Sequence, residues 1–271
     1  MQSLSALITV YHRIDPGELR AALDSLRSQT RRAEEIIIVA DGPLGSELDA
    51  VIDAFLTEAA EARILRLPEN QGAGPASQAG WETITTEFTA RLDADDIAYP
   101  ERFATQLAYF AAHPELDVLG TALQEFTEAP GDGEKIRSLP EKHAEIAKYA
   151  LINSPVNNPS VMMRTERVNQ VGGYRNIHHM EDYDLYARLL ADGACFHNLP
   201  VPLTFFRVSP AQFQRRTGKG MFAAEWQMQR NLVSYGLISR PRAALNLAAR
   251  TGYRLLPAAL LRRVYGALFH R

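Results

Sequence analysis

A single cysteine, Cys195, leaves no intramolecular disulfide to be made, which excludes the disulfide-stapled scaffolds and fits a reducing compartment. Its neighbours Ala194 and Phe196 favour a buried, inert thiol. No run of about 18 apolar residues is present to span a bilayer, and the first residues lack the basic-then-apolar order of a signal peptide, so the expected address is the cytoplasm. Acids are missing from Trp226 to Arg271, where eight arginines stand. The rest of the chain carries 21 Lys+Arg against 32 Asp+Glu, so an acidic body ends in a basic tail. The tail arginines are not interleaved with a stacking platform, which argues against nucleic acid as partner.

What is present is an ordinary core-building share of apolar residues, 46% of 271. Leu4 to Val10 is a short β-branched run, followed after Asp15-Pro16-Gly17 by Leu19, Ala22, Leu23 and Leu26 at helical spacing. The alternation repeats: Glu35 to Ala40 reads as a strand, Leu48 to Phe55 as a helix, Arg63 to Leu67 as a strand, Gly74 to Thr85 as a helix, and Glu87 to Leu92 as a fourth strand. Strands alternating with helices predict a mostly parallel α/β sheet covered on both faces. Further on, the pattern predicts a helix to Ala112, a strand over Val118 to Phe126, a mobile loop over 129–135, and a helix over Ala144 to Ile152. A short strand then enters after Asn157-Asn158-Pro159, followed by an amphipathic helix from Glu181-Asp182 and a strand over Leu199 to Val208. Helix is expected from about Gly218 onward.

In an open parallel sheet, ligands bind outside the carboxyl ends of the strands. Three polar loops fall there: Tyr11-His12-Arg13, Asp41-Gly42-Pro43, and Arg91-Leu92-Asp93-Ala94-Asp95-Asp96. The last packs three carboxylates into four residues, which repel one another unless a cation sits among them. A solvated acidic turn would carry the same residues. The alternative is a hard cation, Mg²⁺ or Mn²⁺, bound by one or two carboxylates and completed by water and substrate phosphates.

These loops and three later motifs, Asn70-Gln71-Gly72, Asn158-Pro159-Ser160-Val161-Met162 and Glu181-Asp182-Tyr183-Asp184-Leu185, come in an order that resembles the inverting family 2 glycosyltransferases with the GT-A fold. The likeness covers about Leu4 to Val208 and is greatest to the bacterial exopolysaccharide and O-antigen transferases. It implies a GT-A domain over 1–217, with a nucleotide-sugar half to about 112 and an acceptor half after it, followed by a helical tail over 218–271. The resemblance assigns Tyr11 to the uracil or ribose, Asp41 to the base N–H, Arg91 and Asp93 to the donor, and Asp95 to a Mn²⁺ or Mg²⁺ bridging the diphosphate. It makes Asp182 the catalytic base, with Glu181 beside it; as residues alone, this pair reads equally well as an acidic helix N-terminus. Asp96 reads as the cap of the next helix.

The chain departs from the family pattern at His12, Gln78 and Ser209. Ser209 replaces a histidine of the metal or diphosphate site, which makes Arg207, Gln212 or the basic segment 215–219 substitutes for that contact. In the tail, Leu260, Leu261, Val264, Tyr265, Leu268 and Phe269 form an apolar stripe beside Arg262 and Arg263. It suits the anionic inner face of a membrane, where a lipid-linked acceptor would lie, or docking on its own domain or on a second copy in a homodimer. Two other readings compete. A sugar-phosphate nucleotidyltransferase should carry a glycine-rich basic loop after the first strand, and Tyr11 to Leu19 has none. A catalytically silent nucleotide-sugar-binding scaffold would not need Asp95 and Asp182.

Overall fold

The central strand β1 (Leu4–Val10) is buried along almost its whole length, as a strand covered on both faces must be, and its sequence is accordingly apolar without strict alternation. It pairs in parallel with β2 (Glu35–Ala40) and β4 (Phe88–Asp93), and β2 pairs in parallel with β3 (Ala62–Arg66). The crossovers are α1 (Pro16–Arg27), α2 (Ser46–Glu58) and α3 (Ala73–Trp81). Helix α1 starts where Asp15 caps it, accepting the Gly17 and Glu18 amides at 2.8 and 3.1 Å. The computed structural model describes residues 2–133, 135–208 and 220–254. The expectations for Ser209, Gln212, the basic segment 215–219 and the stripe from Leu260 lie outside the described residues.

Beyond β4 the chain runs through β5 (Ile97–Ala98), α4 (Arg102–Ala112), β6 (Val118–Phe126), β7 (Ile136–Arg137) and α5 (His143–Ala150). It continues through β8 (Met162–Arg164), α6 (Thr165–Gln170), α7 (Glu181–Ala191) and β9 (Phe196–Arg207), and then α8 (Met221–Ser234) and α9 (Arg240–Arg254). The sheet order is β3-β2-β1-β4-β8-β6-β9-β5, with β7 on β6. Parallel pairing is broken at β8, antiparallel to both β4 and β6, and resumes between β6 and β9. This reversal brings the turn before β8, a 3-10 turn at Asn158–Ser160, to the same edge as the loops that follow β1, β2 and β4.

One face of the sheet packs Leu4, Ala6, Ile8 and Val10 against α1, α2 and α4; the other packs Leu7, Ile37 and Val39 against α3 and α7. Helix α7 is buried on its second side as well. There Met180, Tyr183 and Ala187 meet Met221, Ala224, Met228 and Leu232 of α8, so the first part of the expected tail is a helical hairpin docked on the body. The stretch expected as a mobile loop is closed at its start by Asp132, whose carboxylate accepts the amides of Thr127, Glu128 and Ala129 at 2.7–3.1 Å.

Candidate functional site

At the end of β2, the Asp41 carboxylate is 4% exposed and accepts the Gln71 amide at 2.7 Å and the Gly72 amide at 3.0 Å. It therefore fixes the glycine-rich entry to α3, using one lone pair on each oxygen and leaving others for a further donor. Gly42 permits the close approach: its φ is +82°, and a Cβ there would lie 2.5 Å from the Asn70 nitrogen. Gly42→Ala should lower stability by at least about 1–2 kcal/mol, the cost of a left-handed alanine, and displace the Asn70-Gln71-Gly72 loop. Thermal melts test this. Tyr11, at the end of β1, is partly buried with its ring edge-on to His12 at 5.7 Å.

At the end of β4, Asp93 and Asp95 keep partial solvent access, whereas Asp96 is fully buried. Asp96 is not the cap of α4, which begins only at Arg102. Its Oδ1 instead accepts the Arg207 amide of β9 at 2.8 Å, and burial, followed by repulsion from Asp95 and Asp93, holds its carboxyl well above the usual carboxylate range. The Arg207 side chain is likewise committed. Its Nε lies 3.1 Å from the Asp95 carbonyl and 3.2 Å from the Glu18 carboxylate, and its guanidinium lies over the Phe126 ring at 4.4 Å. Arg207 thus ties the acidic turn to β9 and α1.

Beneath the turn, Arg102 is fully buried and donates to the carbonyls of Arg91 at 2.7 Å, Pro159 at 2.8 Å and Val161 at 3.2 Å. It locks the end of β4 to the turn before β8; burial lowers its pKa to about 9 against the opposing pull of Asp96 and Asp93. Gln106, one turn on, donates to the Leu119 and Ser160 carbonyls at 3.0 Å.

Facing this edge, α7 opens with Glu181 and Asp182. A Cβ on Gly74, in the first turn of α3, would lie 2.5 Å from the Arg175 carbonyl and 3.2 Å from the Glu181 Cβ, so the loop held by Asp41 abuts the start of α7. The Asp182 carboxylate accepts the Tyr183 amide at 2.7 Å and lies 3.5 Å from the Ser154 hydroxyl. From the next turn of α7, the Tyr186 hydroxyl donates to Asn158 Oδ1 at 3.0 Å, and Asn158 Nδ2 reaches Asp93 Oδ1 at 3.4 Å. This chain joins the two carboxylate groups.

Between them lies Arg91, 3% exposed, 3.8 Å from Asp93 and over the Tyr174 ring at 5.8 Å. Its Nε and Nη1 and the Tyr174 hydroxyl are buried without a hydrogen-bond partner among the described residues. Gln78, one of the departures from the family pattern, accepts the Tyr174 amide at 2.6 Å and so seats that ring. Burial, then the charge of Asp182, raises the Glu181 carboxyl to about 8. Folded protein therefore keeps a proton that the unfolded chain releases near 4.5, and stability should fall as pH rises across that window. Glu181→Gln should flatten this part of the melting-temperature profile; an unchanged slope would contradict the assignment.

The structure thus gathers Arg91, Asp93, Asp95, Glu181 and Asp182 on one edge, with Tyr11 and Asp41 on neighbouring loops of it. Carboxylates on an exposed turn are suitable oxygen donors for Mg²⁺ or Mn²⁺. Among the described residues no three His, Cys, Asp or Glu side chains form a cage.

Sequence reasoning missed Arg102, Gln106, Tyr174, Tyr186 and the role of Asp184. A signal existed for the first two. Arg102, Phe103, Gln106, Leu107 and Phe110 share the buried stripe of α4, and polar groups on an apolar stripe are placed there to bond the backbone.

The sequence profile described as Glycosyl transferase family 2 matches residues 5–172. The amylovoran biosynthesis glycosyltransferase AmsE of Erwinia amylovora is 34% identical over 261 residues, covering 96% of this chain and 97% of that one. The UDP-Gal:alpha-D-GlcNAc-diphosphoundecaprenol beta-1,3-galactosyltransferase of Escherichia coli is 30% identical over 267 residues, covering 98% and 96%. Among solved structures, Staphylococcus aureus TarS 1–349 in complex with UDP-GlcNAc superimposes with a TM-score of 0.69 at 14% identity, over 98% of this chain and 76% of that one. Matched over more than half its length by the profile and over nearly all of it by these relatives, on a GT-A fold, the chain belongs to glycosyl transferase family 2.

Proposed function

We propose that the protein is an inverting, metal-assisted glycosyltransferase that moves a sugar from a UDP-sugar to a hydroxyl of a glycan or lipid-linked saccharide in bacterial surface-polysaccharide synthesis. The observation that carries the reading is the chain Tyr186–Asn158–Asp93, which sets the α7 carboxylates opposite the acidic turn across one edge of the sheet. Tyr11 stacks near the base or ribose, Asp41 accepts from the base N–H, and Asp93 binds the ribose or sugar. Arg91, buried beneath them and 3.8 Å from Asp93, supports donor binding by offsetting the charge of Asp93. Asp95 would hold Mn²⁺ or Mg²⁺, whose charge offsets that developing on the leaving nucleoside diphosphate. Asp182 removes the proton of the acceptor hydroxyl, which is too weak an acid to ionise by itself near neutrality. Attack from the face opposite the diphosphate in one displacement inverts the anomeric centre.

A donor panel followed by nucleotide release tests the reading directly. UDP should be released from one UDP-sugar in the presence of Mn²⁺, with the anomeric configuration of the product opposite to that of the donor. Retention of configuration, or release from GDP- or dTDP-sugars alone, would sink it.

No helix among the described residues is long and apolar enough to cross a membrane. Phe222 and Trp226, one turn apart on α8, are about half exposed, and Leu245 on α9 more so, within the segment rich in arginine. These features support a peripheral seat on an anionic inner leaflet. Vesicle flotation of full-length protein against Phe222→Ser/Trp226→Ser should show weaker binding for the variant.

A further inference from the structure

Helix α7 is not the only element next to Asp182. The turn that follows α5, residues 151–154, stands against it through Ser154. The carbonyls of this turn, just past the end of α5, are bonded from α9: Asn246 Nδ2 donates to the Leu151 carbonyl at 2.7 Å, and Arg250 Nη1 donates to the Ile152 carbonyl at 2.5 Å and to Asn153 Oδ1 at 3.2 Å. Asn153 Oδ1 in turn accepts the Ser154 amide at 3.0 Å.

Arg250 is itself held from behind. Its Nε lies 2.5 Å from Glu225 of α8, a carboxylate with no solvent exposure, and Gln229 links Glu225 to Asn246. The same hairpin is bolted to α7. Asn231 of α8 and Tyr235, which follows it, donate to Asp184 Oδ1 at 2.8 and 2.7 Å, Asp184 also has no solvent exposure, and Arg188 donates to its other oxygen at 2.9 Å. Both walls beside Asp182, the helix that carries it and the turn that faces it, are therefore referenced to the α8–α9 hairpin.

A buried ionic network is a costly way to gain stability, since apolar side chains of similar volume often do as well. Its directional bonds are better suited to setting positions. We propose that the hairpin positions Asp182, with Arg250 as the positioning residue that sets the 151–154 turn against it; this rests on the reading of Asp182 as the base. Arg250 acts through Asn153 and Ser154.

The test uses full-length protein carrying Arg250→Lys, which keeps a cation against Glu225 but cannot grip the turn at two points, with Arg250→Met as the second variant. Melting temperature, UDP affinity, and kcat and KM for transfer are measured for each. Arg250→Lys should stay folded and bind UDP like the wild type, because the donor loops lie on β1, β2 and β4, while kcat falls about tenfold through misplacement of the base. A double-mutant cycle with Ser154→Ala should be non-additive in kcat, the pair losing little more than the single Arg250 variant.

Additive losses, a UDP affinity that falls together with kcat, or wild-type kcat in both Arg250 variants would overturn the proposal. Asp182→Asn, assayed in parallel, separates the two readings. Activity retained in that variant removes the base assignment itself, whereas an inactive Asp182→Asn beside an additive cycle removes only the positioning role.

Discussion

Asp182→Asn is expected to reduce sugar transfer by about 10²–10⁴-fold, the usual contribution of a positioned general base, while leaving UDP affinity within about twofold. Asparagine is close in shape and keeps an oxygen to accept the Tyr183 amide, which Asp182 accepts at 2.7 Å, so the start of α7 should survive the change. What disappears is the capacity to take a proton. Glu181→Gln should cost less, because at neutral pH a carboxyl raised to about 8 already holds its proton for most of the time and the amide resembles that form. Paired kcat and UDP-binding measurements check both. Near-wild-type turnover by Asp182→Asn would require another base, and a parallel collapse of UDP binding would mean that the substitution had damaged the fold.

Asp95→Ala should be comparably severe, about 10³-fold in transfer, corresponding to several kcal/mol of barrier once charge on the departing diphosphate is no longer offset. The structure makes this variant a clean one. The tie from Arg207 is to the Asp95 carbonyl, and the neighbouring bond is to Asp96, so removing the Asp95 side chain leaves the turn anchored at both points. Loss of Mn²⁺ binding, followed by electron paramagnetic resonance in the presence of UDP, should accompany the loss of activity. Transfer that survives both Asp95→Ala and chelation would refute the assignment.

The edge formed by β1, β2 and β4 was legible because these strands are buried on both faces and their loops carry the polar residues. Continuous β-branched runs such as Glu35-Ile36-Ile37-Ile38-Val39-Ala40 admit few other readings, and Asp41, Asp93 and Asp95 follow those runs directly. The later half of the sheet was harder. Strands β5 and β7 have two residues each and exist only by virtue of their pairing partners, which no local pattern encodes. Strand β9 begins at Phe196, three residues before its expected start, where it pairs with Val118 of β6; shifts of register around Ala122 of β6 accommodate Pro200 and Pro202.

Asp96 was misassigned because it is polar and close to the motif, and only the three-dimensional pairing of the β4 turn with β9 shows that it accepts the Arg207 amide. Asp184 lay in plain view within Glu181-Asp182-Tyr183-Asp184, but its partners Asn231 and Tyr235 come from more than 45 residues away, beyond any spacing argument.

That distance has a practical side for anyone who cuts the gene. The family profile stops at residue 172, ahead of Glu181 and Asp182, and a fragment designed to end after β9 would retain every motif while discarding two of the three donors to Asp184. Such a fragment would leave that carboxylate facing a single arginine and would strip Met180, Tyr183 and Ala187 of their apolar cover. Expression boundaries, fusion points and chimeras with related enzymes are therefore best placed beyond Arg254, so that Asn246 and Arg250, which grip the motif-bearing half, are retained.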